Sequence, residues 1–149
     1  MIAGTGDNVL VNEYETNLIL RGDLDDTTSV ALIEKFEGLI TQSGGTLLLR
    51  DDWGKRKLAY PVRKQPRGHF LILNWVGAAK LVSEFERRIR NEDNVVRFMT
   101  VRTGVAVDVE QRLAQAEEKR RLRAEQARAR AEAEQMAETQ GDEEEDYDT

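Results

Sequence analysis

Apolar residues alternate with polar ones at residues 13–21, and this period of two predicts a half-buried first strand. The positions that share its inward face are Tyr14, Thr16, Leu18 and Leu20. Its other face is polar except at Ile19. The apolar spacing then changes to about 3.6, which predicts a helix at residues 27–42, with capping side chains at residues 25–28 and a stop at Gly44. The predicted stripe of this helix comprises Val30, Leu32, Ile33, Phe36 or Glu37, Leu39 and Ile40.

Strand-like sequence returns at residues 46–62 and is interrupted by Asp-Asp-Trp-Gly at residues 51–54. The interruption is either a full turn or a bulge within one long strand. The bulge is favoured, because strand-like sequence resumes at once and Gly54 suits a bulge. Pro61 indicates an edge strand, since proline cannot donate a ladder hydrogen bond. Residues 64–68 are then predicted to form a hairpin loop.

Residues 69–76 are apolar on both faces, which favours a central strand whose second face is partly covered. A second helix is predicted at residues 77–90 and a final strand at residues 95–103. The buried face expected for that helix is Leu81, Val82, Phe85 and Ile89. The resulting order, β-α-β-β-α-β, predicts an α+β fold of the ferredoxin-like type, with two helices on one face of a four-stranded antiparallel sheet.

Two helices can cover only one face of such a sheet, so apolar side chains on the other face imply a partner surface. The candidate partner-binding residues on that face are Ile19, Phe70, Ile72, Arg97, Met99 and Val101.

Composition divides the chain into four segments. They are a flexible leader at residues 1–12, the α+β domain at residues 13–103, an Ala/Glu/Arg-rich helix at residues 104–138 and a disordered acidic tail at residues 139–149. Large apolar residues are too few in the helix for a coiled-coil seam, and opposite charges recur at i,i+4. A solvated single helix is therefore predicted.

The net charge of −6 averages two unlike parts. Residues 1–103 carry 15 basic and 14 acidic side chains, whereas residues 104–149 carry 7 and 14. Six Lys and Arg fall within residues 55–67, a density that favours a nucleic-acid surface over an edge strand merely protected by charge. The candidate residues for this nucleic-acid surface are Lys55, Arg56, Lys57, Arg63, Lys64 and Arg67. The alternating side chains of Leu58, Tyr60 and Val62 are expected to pack and hold them in place.

Other chemistry has little support. The chain has no Cys, which excludes disulfides and thiolate metal sites, and its single histidine, His69, excludes a multi-histidine site. Gly54-Lys55 lacks the remaining residues of a phosphate-binding P-loop, and the acidic tail lacks the spacing of a calcium loop. No apolar run approaches the roughly 20 residues of a membrane span, so a soluble, cytoplasmic protein is expected. No metal, cofactor or catalytic residue is expected either.

RNA-recognition-motif domains share this element order and carry stacking aromatics on their third strand. Here residues 67–74 read Arg-Gly-His-Phe-Leu-Ile-Leu-Asn, with His69, Leu71 and Asn74 at the aromatic positions. A platform for stacking single-stranded bases is largely missing. Structured RNA held by charge and shape fits better.

Residues 54–70 read Gly-Lys-Arg-Lys-Leu-Ala-Tyr-Pro-Val-Arg-Lys-Gln-Pro-Arg-Gly-His-Phe. This run resembles the Gly-x-basic-x-Leu-Ala-Tyr-Pro-Ile-x-Lys signature of the ribosomal protein S6 family of the bacterial small subunit. Tyr14-Glu15 and residues 90–101, Arg-Asn-Glu-Asp-Asn-Val-Val-Arg-Phe-Met-Thr-Val, are similar to that family as well. The resemblance covers about residues 13–103; the leader and the C-terminal helix and tail exceed the family's compact domain.

The resemblance implies a ferredoxin-like domain of the small ribosomal subunit. It further implies binding to the central domain of 16S rRNA, as a heterodimer with small-subunit ribosomal protein eighteen, during subunit assembly. Five of the six basic candidates, all but Arg67, fall in the family's basic signature. Two alternatives stay open at this point: a regulatory protein-interaction module on the same fold, and, with least support, an enzyme that depends on His69.

Overall fold

The structure of the protein is a computed structural model that describes residues 10–62 and 64–145. Within these ranges the elements are β1 (Leu10–Arg21), α1 (Asp26–Gln42), β2 (Thr46–Val62), β3 (Gln65–Gly77), α2 (Ala79–Arg90), β4 (Val95–Asp108) and α3 (Val109–Glu145). The first six follow the predicted order, and the ferredoxin-like α+β fold is confirmed. The chain divides into two compact units, Met1–Leu113 and Ala114–Thr149.

The sheet has the strand order β2-β3-β1-β4, and each pair of neighbouring strands is antiparallel. The strand containing Pro61, β2, lies at one edge, as predicted from the missing N–H of proline. The apolar strand β3 lies inside the sheet between β2 and β1, again as predicted.

The core lies between the helices and the inward face of the sheet. The alternation predicted for β1 is confirmed, because its inward side chains are all buried. They are Tyr14, Thr16, Leu18 and Leu20. At the centre, the ring of Trp75 lies 4.7 Å from that of Tyr14 and 5.6 Å from that of Phe85. The indole Nε1 of Trp75 donates a hydrogen bond of 3.0 Å to the hydroxyl of Thr16.

Helix α1 begins after Asp25, whose carboxylate accepts a hydrogen bond of 2.7 Å from the backbone N–H of Thr28. Hydrogen bonding from Thr28 also holds the pKa of Asp25 below its ordinary value. The helix is followed by Gly44 at φ 90°, a left-handed conformation that glycine adopts without strain. The buried residues include Leu32, Ile33, Phe36 and Ile40, but Val30 is 49% exposed, so its assignment to the buried stripe is wrong.

Helix α2 begins at Ala79, two residues later than predicted. The difference arises because Gly77 is the last residue of β3 and pairs with Asn12 of β1. The expected packing of α2 otherwise holds. Leu81, Phe85 and Ile89 are buried, and Val82 is partly buried against the core.

Strands β1 and β4 are longer than predicted. Leu10 pairs with Asp108 and Val11 with Val107, so the boundaries drawn at residues 12 and 103 do not match the ends of the strands. The strand passes through Gly104, where an added Cβ would lie 2.9 Å from Cγ1 of Val107. Gly104 therefore lies within a strand, at a point where the side chain of Val107 closely approaches the backbone, and it is not the end of the domain.

Helix α3 continues to Glu145, beyond the end predicted at residue 138. Its first turn is capped by Asp108, whose carboxylate accepts a hydrogen bond of 2.9 Å from the N–H of Gln111. Residues 1–9 and 146–149 lie outside the described residues, so the flexibility of the leader and the disorder of the final residues stay predictions. None of the described helices has the length and apolarity needed to cross a membrane.

Candidate RNA and partner surfaces

The long strand β2 carries a bulge at Trp53, as the favoured interpretation predicted. The pairing with β3 shifts between Asp52 and Gly54, and β2 continues without a full turn. Gly54 adopts φ 73°, and its N–H donates a hydrogen bond of 2.8 Å to the carboxylate of Asp52. The short polar side chain and the glycine together allow the extra residue without breaking the strand.

The hairpin between β2 and β3 is tighter than predicted. Val62 pairs with Gln65, so residues 65–68 belong to β3 and the predicted loop at residues 64–68 is wrong. Lys64 adopts φ 63°, the left-handed conformation that a short hairpin requires, without glycine. Pairing between β1 and β3 ends at Gly68, so residues 57–62 and 64–67 form a two-stranded extension, here called the hairpin arm.

The three consecutive basic residues are divided between the two sheet faces. Lys55 pairs with the buried His69 on the face that carries the helices, and its ammonium donates a hydrogen bond of 2.7 Å to the carbonyl oxygen of Leu24. Arg56 points to the other face, where its guanidinium lies 4.9 Å from the centre of the Trp53 ring. The triplet is therefore two structurally different groups, not one patch.

The hairpin arm brings other cations together. Lys57 and Arg67 are directly paired across the two strands, and both are exposed. In the part of the chain that the structure describes, neither residue makes an ion pair. Lys64 is exposed at the tip. Arg63, the remaining basic candidate, lies outside the described residues, so its role stays a prediction.

The side chains expected to hold the basic residues differ in burial. Leu58 and Val62 are half-buried, in agreement with a packing role. Tyr60 is 61% exposed, so the prediction that it packs is wrong. The physical reason is that the arm extends past β1, and no core lies beneath it at Tyr60.

His69 is nearly buried and lies 2.6 Å through Nε2 from the carboxylate of Asp52. This contact joins β3 to the residue before the bulge, so its evident effect is to fix the local geometry of β2. Within the described ranges, no group of three or more His, Cys, Asp or Glu side chains could hold a metal ion.

The six candidate partner residues all lie on the sheet face opposite the helices, here called the open face. Ile19 pairs with Phe70 on one side and with Arg97 on the other. In the next row, Asn17 lies between Ile72 and Met99, and Glu15 pairs with Val101 one row further. Met99 is 58% and Val101 43% exposed, so the predicted apolar surface exists and faces solvent.

Trp53 is a residue of this surface that the sequence pattern missed. It is 47% exposed and lines a shallow cavity of about 570 Å³ on the open face, together with five of the six candidates. They are Ile19, Phe70, Ile72, Arg97 and Met99. Strand alternation could not assign Trp53 to a face, because a bulge shifts the alternation by one residue. The signal available in the sequence was a tryptophan among charged neighbours.

Comparison with known proteins gives a consistent picture. The family model described as "Ribosomal protein S6" matches residues 13–102. The chain is 40% identical over 97 residues to small ribosomal subunit protein bS6 of Desulforapulum autotrophicum, covering 65% of this chain and 63% of that protein. It thus spans less than two thirds of the length of that relative. With the bS6 protein of Caldanaerobacter subterraneus it is 39% identical over 93 residues, covering 62% of this chain and 98% of that protein.

Among solved structures, the crystal structure of 30S ribosomal protein S6 from Thermotoga maritima is similar, with a TM-score of 0.61 and 20% identity. The match covers 74% of this chain and 98% of that one. At this identity the likeness supports the fold. The sequence matches carry the family assignment, and the resemblance noted over residues 13–103 is confirmed.

Proposed function

Because the chain belongs to the ribosomal protein S6 family of the small ribosomal subunit, we propose that it binds the central domain of 16S rRNA together with small-subunit ribosomal protein eighteen. In this role it supports subunit assembly and translation, in the cytoplasm and as part of the ribosome. The role is structural and requires no cofactor. The matched residues 13–102 contain both the hairpin arm and the open face, so each surface can be given a partner.

The hairpin arm is the proposed RNA contact. The observation that carries this proposal is the direct cross-strand pairing of Lys57 with Arg67. Like charges at directly opposite positions destabilise a sheet, by a few tenths of a kcal/mol to about 1 kcal/mol. A polyanion between them removes this cost, and phosphate oxygens accept from both side chains. Such contacts position the protein on RNA without reading its sequence.

Lys55 and Arg56 have supporting roles in this proposal. An ammonium has three donors, so Lys55 can contact a phosphate while it keeps its bond to the carbonyl of Leu24. The guanidinium of Arg56 is held against Trp53 and still presents its edge donors. Both cations are therefore oriented before RNA binds, which lowers the entropy lost on binding.

The open face is the proposed surface for ribosomal protein eighteen. It combines Trp53, Met99 and Arg97, which are residue types enriched in interface cores and hot spots. Its apolar members are held on a rigid sheet, so little backbone order has to be gained on binding. A partner that presents apolar side chains would bury them and leave Arg97 at the rim.

The RNA contact is tested with Lys57→Glu combined with Arg67→Glu in the full chain. The probe is a transcript of the central domain of 16S rRNA, with and without ribosomal protein eighteen. We expect weaker binding, and a slope of log affinity against log salt that is smaller by about 0.7–0.9 for each lost phosphate contact. The control is Lys35→Glu combined with Lys80→Glu, which changes the net charge by the same amount as the hairpin variant but places the change on α1 and α2. Equal losses in both double variants would contradict the proposal.

The protein contact is tested with Met99→Asp. We expect loss of heterodimer formation with ribosomal protein eighteen, measured by calorimetry, because a carboxylate would be buried without a partner. Val30→Asp is the control, since Val30 is also an exposed apolar residue but lies on α1. The same variants are then followed by co-sedimentation with the small subunit after a high-salt wash. Retention of Met99→Asp at the wild-type level would exclude the open face as the interface.

A further inference from the structure

The second unit of the chain, Ala114–Thr149, contains most of α3 and has an uneven charge distribution. Residues 119–130 include six basic side chains and a single acidic one. Residues 131–145 include seven acidic side chains and none that is basic. All side chains of residues 119–130 are exposed. A cationic segment is thus followed directly by an anionic one on the same helix.

The charges of the cationic segment are also sorted around the helix. At about 100° per residue, Arg123 and Arg130 lie about 40° and 20° from Lys119, and Arg120 lies about 100° away. The acidic side chains of residues 117–132 fall at about 160–260°, on the opposite side. They are Glu117, Glu118, Glu125 and Glu132. The side that carries Lys119, Arg120, Arg123 and Arg130 is here called the cationic face.

The other two arginines of the segment are placed among the acids. Arg121 forms an ion pair of 2.5 Å with Glu118, and Arg128 is four residues before Glu132. Both arginines thus lie on the side of the helix that carries the acids. The cationic face repeats positive charge over about 16 Å of helix, at 1.5 Å per residue.

We propose that the cationic face of α3 is a second RNA contact, which binds the phosphate backbone of a double-stranded segment of RNA. The inference rests on the proposed function, since it is the ribosome that places structured RNA beside this chain. Charge complementarity selects the occupant. Arginines and a lysine along one line match a line of phosphates, and Gln126 and Ala127 between them leave the approach open.

The composition of the helix argues against other occupants. Residues 109–145 contain no aromatic side chain, so single-stranded bases have nothing on which to stack. The cationic face has no large apolar side chain to anchor a protein interface. Beyond Glu132 the face reverses sign, because Glu134 and Glu138 fall at about 60° and 100°, within its arc. Repulsion between these acids and phosphate ends the contact near residue 131.

The helix offers a matched pair of variants for the test. Arg123→Gln with Arg130→Gln removes two charges, seven residues apart, from the cationic face. Arg121→Gln with Arg128→Gln removes two charges at the same spacing from the opposite face. Both have the same composition and net charge, and glutamine keeps a helix propensity close to that of arginine. The full chain is titrated with an RNA duplex of about 20 base pairs at several salt concentrations, and circular dichroism compares the helix content of the variants.

We expect the Arg123/Arg130 pair to weaken duplex binding by about ten-fold at about 0.1 M salt and to lower the salt slope by about 1.4–1.8, while the Arg121/Arg128 pair retains both. Arg123→Lys with Arg130→Lys is expected to keep the salt slope, which separates loss of charge from loss of helix. Equal weakening by the two glutamine pairs, or no weakening by either, would overturn the inference.

The failure of this inference can be told apart from failure of the proposed function. Lys57→Glu with Arg67→Glu is measured in parallel on the 16S central domain. If that variant binds the central domain as the wild type does, the hairpin arm is not the RNA contact, and the result for the helix still stands on the duplex probe. If only the hairpin variant loses binding, the proposed function holds and the cationic face does not bind RNA.

Discussion

The hydroxyl of Thr16 joins three strands of the sheet at its buried centre. It accepts a hydrogen bond of 3.0 Å from Nε1 of Trp75 on β3, and it lies 3.0 Å from the hydroxyl of Thr100 on β4. Thr16 and Trp75 are both fully buried, at 0% exposure. Thr16→Val keeps the branched shape of the side chain but removes the acceptor that the indole N–H has within residues 10–62 and 64–145. The substitution also removes the contact with Thr100, so comparison with Thr100→Val, which keeps the indole bond, separates the two contributions.

The magnitude follows from burial. A buried donor that loses its partner costs about 1–3 kcal/mol, and water cannot reach the indole N–H to compensate. Replacing a hydroxyl by a methyl group offsets part of this cost, because burial of the methyl group stabilises the folded state by up to about 0.8 kcal/mol. We therefore expect Thr16→Val to lower the free energy of unfolding by about 1–2 kcal/mol. Thr100→Val should cost less, about 0.5–1.5 kcal/mol at most, because it leaves the Trp75 bond intact.

Urea unfolding measures both values, with Trp53→Phe as the background so that fluorescence reports Trp75, the other tryptophan of the chain. The midpoint should fall for Thr16→Val with the m-value unchanged, since the exposed area is the same. A midpoint equal to that of the background, or a larger fall for Thr100→Val than for Thr16→Val, would refute the reasoning.

Three further predictions concern the backbone, a helix cap and the open face. Ala106 adopts φ 49°, which costs a non-glycine residue about 1–2 kcal/mol, so Ala106→Gly should stabilise by up to about 1 kcal/mol in thermal unfolding, after the entropy lost by glycine. Asp25→Ala should lower the stability of the fold at pH 7. The difference in stability between wild type and variant should narrow below about pH 4, because the pKa of Asp25 is depressed in the folded state and the stabilisation by its carboxylate is lost as that group protonates. Thermal unfolding at pH 7 and pH 3 measures this difference. Trp53→Ala should weaken binding of ribosomal protein eighteen in calorimetry with little effect on the unfolding midpoint, because Trp53 is 47% exposed.

The elements that the sequence predicted well are those whose signal is local. Alternation in β1 assigned Leu18 inward and Ile19 outward, and both assignments are confirmed, because a half-buried strand has to follow a period of two. The cap at Asp25 was visible for the same reason, since a capping side chain acts within its own turn.

The ends of the strands depended on contacts that are distant in sequence. Whether Leu10 is in a strand depends on Asp108, and neither segment has a strong pattern of its own. The final strand was predicted to end at residue 103, but it continues through Gly104, where the absence of a side chain leaves room for Val107. At the hairpin, Lys64 occupies a left-handed position for which glycine would have been the sequence signal.

The candidate site was predicted as a region, but its division between two faces was not. In a strand, neighbouring basic residues must point to opposite faces, so Lys55 and Arg56 could not belong to one patch. Which of them joins the open face depends on the bulge at Trp53, because each bulge shifts the assignment by one residue. The sequence favoured a bulge but did not show which side chain the bulge would place on the open face.

The bulge brings the two proposed surfaces into contact at one pair of side chains. Trp53 lines the open face, and the guanidinium of Arg56 lies 4.9 Å from its ring while Nε donates to the Trp53 carbonyl at 3.3 Å. A protein partner that buries Trp53 would therefore also desolvate and fix Arg56, and a cation–π contact strengthens from about 0.5–1 kcal/mol at exposed sites to about 2 kcal/mol when desolvated. Because coupling between two ligands is reciprocal, RNA held by Arg56 would raise the affinity for the protein partner by the same factor. The proposed joint binding of RNA and ribosomal protein eighteen thus has a physical basis in the geometry of this single bulge.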